Sequence, residues 1–170
     1  MNNDIKFVEQ IVKRKTTQTD IMFFVSMFIA ATVIAAAMFA FQLMPYGFII
    51  ICLAYYGAWW LGTRRNREYE YAVTEGELDI DIIFAKRSRK RMVTVDAKAM
   101  EVFAPADDVN RAQYENTGIK KRLWACSDVK SENIYFCIFH MNNIGRAVLF
   151  FEPNEEVYKA LRLYNPSVIN

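Results

Sequence analysis

The side chains that most invite a chemical reading are five cations within six residues: Lys86, Arg87, Arg89, Lys90 and Arg91. A second group, Lys120, Lys121 and Arg122, follows. Clustered ammonium and guanidinium groups attract phosphate and carboxylate, so both groups are candidate contacts for anionic lipid or an acidic partner. Each such cation is worth roughly 1 kcal/mol near an anionic membrane surface. The same residues would also suit a solvated hairpin tip, where lysines discourage edge-to-edge aggregation. From residue 68 onward the chain has 14 basic and 16 acidic side chains, so the cations form local patches on a slightly acidic body. That is a poor electrostatic footprint for nucleic acid, and no nucleic-acid partner is expected.

Other reactive residues are sparse. His140 is the only histidine and reads as a strand-end residue with a local hydrogen bond. Cys52 falls in the second apolar run; Cys126 and Cys137 fall on neighbouring predicted strands, close enough to be neighbours, and read as reduced, small buried residues. No Cys/His spacing matches a zinc site, so no metal is expected. Glu75, Glu77, Asp79 and Asp81 occupy alternate positions beside an apolar face, the pattern of a strand's solvated side. With six glycines, no P-loop, no dinucleotide turn and no GxSxG, the chain offers no catalytic residue and no cofactor site.

The elements that must position these groups follow from where charge is missing. The 170-residue chain is 54% hydrophobic and 24% charged with a net charge of +2, yet the 43 residues between Asp20 and Arg64 carry no charge. A uniform chain would place about ten there. This excludes a single soluble globular domain. Residues 21–41 are long enough as a helix to cross a bilayer core, and residues 46–62 lie near the lower limit. Pro45 interrupts them, so a two-helix transmembrane hairpin over 21–62 is expected, turning near Gln42–Tyr46. A cleaved signal peptide would have a shorter apolar core and a small-residue processing site.

Orientation follows from Lys13, Arg14 and Lys15 before the first span and Arg64, Arg65 and Arg67 after the second. Cations stay on the cytoplasmic side, so both termini are expected there. Trp59 and Trp60 fit that interface, and Tyr46 the opposite one. Small residues four apart, Ala31/Ala35, Ala54/Ala58, Ser26/Ala30 and Ala36/Ala40, let helices approach closely, within the hairpin or in a homo-oligomer. The spans hold no ionisable side chain of the kind a proton relay or transporter uses.

Residues 1–20 form an N-terminal amphipathic segment. Ile5, Val8, Ile11, Val12 and Lys15 recur every three or four residues, so a helix capped by Asn2, Asn3 or Asp4 is expected. From residue 68 the period changes to two. Strands are expected over 68–74 and 78–84, then at Met92–Val95 and Met100–Phe103. A polar tip, Ala85–Lys90, separates the second and third of these. Pairing Ile82 with Val93 and Ile80 with Val95 places the apolar residues on one face. After a polar stretch, 106–122, strands resume at Leu123–Cys126, Ile134–Met141 and Ala147–Phe151. The last two are apolar on both faces, which predicts cover by a helix. Asn154 caps a final helix with the stripe Val157, Ala160, Leu161 and Tyr164.

The layout resembles the bacterial pleckstrin-homology-like (PH-like) two-span membrane proteins, a functionally uncharacterised group. The resemblance runs through Tyr69–Thr74, Gly76–Ile80, Ser88-Arg89, Met92–Asp96 and Met100–Val102. It implies a membrane α-helical hairpin plus an α+β domain over 68–170. That domain would be a PH-like antiparallel roll of about six or seven strands closed by a C-terminal helix. It also implies a place in the cell membrane and carries no catalytic motif.

The expected function is a non-enzymatic, membrane-anchored binding or scaffold module at the inner face of a bacterial membrane. Its expected partners are the lipid bilayer and an unknown protein or a second copy of the chain. The alternative is a subunit of a multi-protein membrane complex assembled through the hairpin.

Overall fold

The computed structural model describes residues 7–115, 118–142 and 144–169, excepting the side chains of residues 44–46. The expected caps Asn2, Asn3 and Asp4, with Ile5, and the ring of Tyr46 lie outside that description. The chain divides into two compact units. One comprises the N-terminal residues through Arg14 together with 68–83 and 88–170; the other comprises 15–67 and 84–87.

Among the described residues, the first unit holds eight strands in two four-stranded sheets. The N-terminal strand β1 (Phe7–Lys13) pairs antiparallel with β2 (Arg67–Thr74), matching Val8 to Val73 and Val12 to Tyr69. This corrects the expected N-terminal helix. In a seven-residue window the 3–4 spacing of Val8, Ile11 and Val12 competes with a period of two that turns Val8 and Val12 inward. Pairing with β2, sixty residues away, decides between them. The first sheet continues through β3 (Glu77–Phe84) to β4 (Ser88–Asp96) in the order β1-β2-β3-β4. Glu75 and Gly76, both with positive φ, turn the chain between β2 and β3, as a tight hairpin requires. Ala85 and Lys86, also at positive φ, turn it between β3 and β4.

The second sheet holds β5 (Met100–Pro105), β6 (Lys121–Ala125), β7 (Tyr135–Met141) and β8 (Gly145–Phe151) in the order β5-β7-β8-β6. The β5/β7 and β7/β8 pairs are antiparallel, but β6 runs parallel to β8. The roll is therefore mixed rather than wholly antiparallel. Tyr71, Leu78, Ile80, Val95, Leu149 and Phe151 are among the fully buried side chains of a core shared by both sheets. The C-terminal helix α4 (Glu155–Tyr164) adds Val157, Ala160 and Leu161 to that core, and Asn154 Oδ1 caps it by accepting from the Val157 N–H.

The outer face of the second sheet forms a second apolar cluster with Phe136, Ile138, Val148 and Phe150. The C-terminal helix covers the inner face of these strands, and Ala106, Tyr114 and Ile119 pack against the outer one. Tyr114, in the one-turn α3 (Arg111–Tyr114), sets its ring edge-on to Phe136 and Phe150. Two polar clamps tie the unit together. The Tyr71 hydroxyl donates to the Ala125 carbonyl and accepts from the Glu152 N–H, and Gln10 bonds the Glu152 carbonyl and the Asn154 N–H.

The second unit contains two helices, α1 (Gln18–Ala40) and α2 (Met44–Thr63). Pro45 sits in the first turn of α2, where its missing N–H costs no hydrogen bond. Among the described residues α1 alone is long and apolar enough to cross a membrane, by a criterion that an N-terminal signal sequence also meets. The described apolar stretch of α2, Gly47–Thr63, is shorter.

Candidate functional site: a cationic collar and a paired sheet face

The second unit gathers its charge at one end of the helices. Thr17 and Asp20 form a capping box at the start of α1, where Asp20 Oδ2 accepts from the Thr17 N–H. The other oxygen of Asp20 accepts from Arg65 Nε at 2.6 Å, and the carboxylate is buried. Arg65 also lies over the Phe23 ring at 4.9 Å. Charges from the two ends of the uncharged stretch are thus joined, which closes the base of the hairpin.

Three further arginines lie over rings. The Arg64 guanidinium is 3.8 Å from the centre of the Trp60 ring one turn earlier, Arg87 is 4.8 Å from Trp59, and Arg67 is 5.4 Å from Phe84. Cation–ring attraction favours each guanidinium over its ring face. Arg87 is brought in by the turn after β3, which is held by the Ala85 N–H donating to the Asn66 carbonyl at 2.8 Å. Sequence reasoning assigned Arg64, Arg65 and Arg67 to topology and Arg87 to a hairpin tip. It missed that all four share one collar. An acid just before one apolar run and a base just after the next was the available signal.

The expected cationic tip does not survive as one patch. The turn is only 85–87, and Arg89, Lys90 and Arg91 belong to β4. Arg89 pairs with Glu70 at 2.5 Å, and Arg91 bridges Asp79 and Asp81, each at 2.5 Å. Thr94 links Arg91 to Asp79. Asp81 is therefore buried and paired, and Asp79 paired, which corrects their reading as a solvated row. Burial pushes the Glu70 carboxyl up; Arg89 opposes this, and Glu9 and Asp81 add to it. Lys86 and Lys90 are exposed, as are Lys120, Lys121 and Arg122 at and before the start of β6. Lys13 stands opposite Glu68 in the β1/β2 register.

In the helices, Ala31 and Ala58 are buried and Ala35 and Ala54 half-buried, whereas Ser26, Ala30, Ala36 and Ala40 face outward. Gly62 extends the Ala54/Ala58 spacing by one more turn. A Cβ there would lie 2.1 Å from the Phe24 ring, so the close approach requires glycine. Gly47 is similar, with Met38 3.2 Å from such a Cβ.

Cys126 and Cys137 are not neighbours. Strand β8 separates β6 from β7, and the two thiols enter different apolar clusters. Burial raises both, Cys126 to about 11. His140 is exposed on β7 opposite Arg146. The described residues contain no group of three His, Cys, Asp or Glu able to hold a metal ion. What the geometry can do is bind: it offers guanidinium groups held over rings on one unit and a closed ion-pair row on the other.

No curated protein and no solved structure matches the chain. A family model described as a bacterial PH-like domain (DUF6106) matches residues 3–170, and the chain belongs to that bacterial PH-like family.

Proposed function

We propose that the protein is a non-enzymatic binding or scaffold module anchored in a bacterial membrane by α1 and α2 as two spans, with both termini cytoplasmic. PH-like membership supports a binding role. The observation that carries the anchoring is the outward face of the helices. Met22, Val33, Phe39, Phe48 and Leu53 are all more than 60% exposed, on elements without an exposed charge between Ile21 and Thr63. Such a surface in water would be an aggregation site; in lipid it is solvated. At 17 apolar described residues α2 reaches across only with its flanks at the interface, which fits Trp59, Trp60 and Arg64 at its end.

The test is a cysteine placed at Ser167 and an impermeant thiol reagent applied to intact cells, alongside alkaline extraction of membranes. The protein should resist extraction and Ser167→Cys should stay unlabelled. Release at high pH would remove the anchor, and labelling would reverse the orientation.

One observation favours the second reading, a complex subunit. A groove of about 420 Å³ runs along α1, lined by Phe24, Phe28, Ile29, Thr32, Val33 and Ala36 among others. A partner helix could fill it. Cross-linking from Val33→Cys or Ala36→Cys tests this; Ala31 and Ala58 are buried in the second unit and would report the hairpin itself. A monomeric pattern from both groove positions counts against a span-mediated complex.

A further inference from the structure

We infer that the collar of Arg64, Arg67 and Arg87 is a binding site for the phosphate of anionic phospholipid headgroups, a role distinct from setting topology and separate from the β4 cations. The inference rests on the membrane anchoring proposed above.

The four collar arginines divide by partner. Arg65 is neutralised by the buried Asp20, its Nε committed to the carboxylate. Its work is structural. Arg64, Arg67 and Arg87 are exposed, and among the described residues none of the three forms an ion pair. Each instead rests on an aromatic face, Trp60, Phe84 and Trp59. Contact with a ring face neutralises no charge and leaves guanidinium N–H groups able to donate to oxygen. The ring also fixes the side chain and so lowers the entropy lost on binding. Guanidinium forks match two oxygens of a phosphate, which an ammonium group does not.

Charge points the same way. The second unit holds six cations, Lys15, Arg64, Arg65, Arg67, Lys86 and Arg87, against the single carboxylate Asp20. The β4 arginines, by contrast, are saturated by Glu70, Asp79 and Asp81. A headgroup competing for them would have to displace carboxylates already at contact distance. Lys86 remains as an exposed cation beside Arg87 and adds long-range attraction without a fork. Trp59 and Trp60 belong at the headgroup level of a bilayer, which is where the phosphates are.

The test uses the full chain reconstituted in phosphatidylcholine bilayers, with spin-labelled phosphatidylglycerol or spin-labelled phosphatidylcholine as the probe. Electron spin resonance gives the motionally restricted fraction of each lipid, and hence their relative association constants. Wild-type protein should select phosphatidylglycerol. R64Q/R67Q/R87Q should lower that selectivity by about fivefold or more, the weight of at least one cation near an anionic surface. K120Q/K121Q/R122Q removes the same charge from the other unit and should leave selectivity unchanged.

Lysine at the three collar positions keeps the charge and loses the fork, so it should fall between wild type and the glutamine variant. Equal selectivity in wild type and the glutamine variant would overturn the site. So would an equal loss in the control, which would reduce the effect to net charge, or a lysine variant as selective as wild type. Loss of selectivity on adding inorganic phosphate, beyond that caused by chloride at the same ionic strength, would assign the collar to free phosphate and overturn the lipid assignment. A chain that restricts neither lipid is not in the bilayer, which would overturn the anchoring and the collar together. Restriction without selectivity would overturn the collar alone.

Discussion

The two units use arginine in opposite ways. On the β4 face Arg89 and Arg91 meet Glu70, Asp79 and Asp81, and the charges cancel locally. At the end of the helices Arg64, Arg67 and Arg87 meet rings, and their charge stays available. The apolar surfaces differ in the same sense. The sheet unit turns Tyr71, Phe136, Phe150 and Phe151 inward, whereas the helical unit leaves Met22, Phe39 and Phe48 outside. One unit is satisfied within itself and the other is unfinished. Function is to be sought where the structure leaves groups unsatisfied, and a count of cations along the sequence does not locate that place.

The largest way to break the contrast is to empty the sheet core. Phe151 is fully buried, edge-on to Tyr71 and Phe103. Phe151→Ala should cost about 3–5 kcal/mol of the sheet unit's stability. This is read as loss of near-ultraviolet circular dichroism on denaturant titration of the full chain in micelles. Membrane retention on alkaline extraction should be unchanged. Joint loss of both would mean that the units are not independent in stability.

A smaller effect is expected at the base of the helices. Asp20→Asn removes the ion pair to Arg65 and weakens the capping box, at a cost of about 1–2 kcal/mol. Melting of the helical far-ultraviolet signal should fall while the near-ultraviolet signal of the sheets holds. No change would mean that the carboxylate does not brace the hairpin.

The smallest effect sharpens the electrostatic half of the contrast. Burial raises the Glu70 carboxyl above its ordinary value of 4.5, despite Arg89. The folded state then holds the proton more tightly than the unfolded state. Stability from this group is fullest below the unfolded value and is lost as pH rises from there through the raised folded value. Glu70→Gln should flatten that part of the stability–pH curve. An unchanged slope would place the titration on another group.

Much of the sheet unit was legible because its signals are local. Alternation marked β2 and β3, and a capping asparagine and an apolar stripe marked α4. What was not legible depended on distant pairing. The helical spacing of Val8, Ile11 and Val12 gave way to the ladder with β2, and the parallel β6/β8 pair needs β7 to intervene. The site was legible only in part for the same reason. The cations were visible, but nothing local to Arg87 indicates Trp59, twenty-eight residues earlier, and nothing local to Arg89 indicates Glu70. A run of like charges along a strand and its turn is divided by the partners that the fold supplies.

The central claim, that the helical unit is completed by lipid, has a native reporter. Cys52 lies exposed on α2 amid apolar side chains, while Cys126 and Cys137 are buried in the sheet unit. A membrane-impermeant maleimide applied to right-side-out and inverted membrane vesicles, with the site read by mass spectrometry, should leave Cys52 unmodified in both and modify it once the membrane is dissolved in a denaturing detergent. Ready modification of Cys52 in either kind of intact vesicle would put that face of α2 in water and contradict the account.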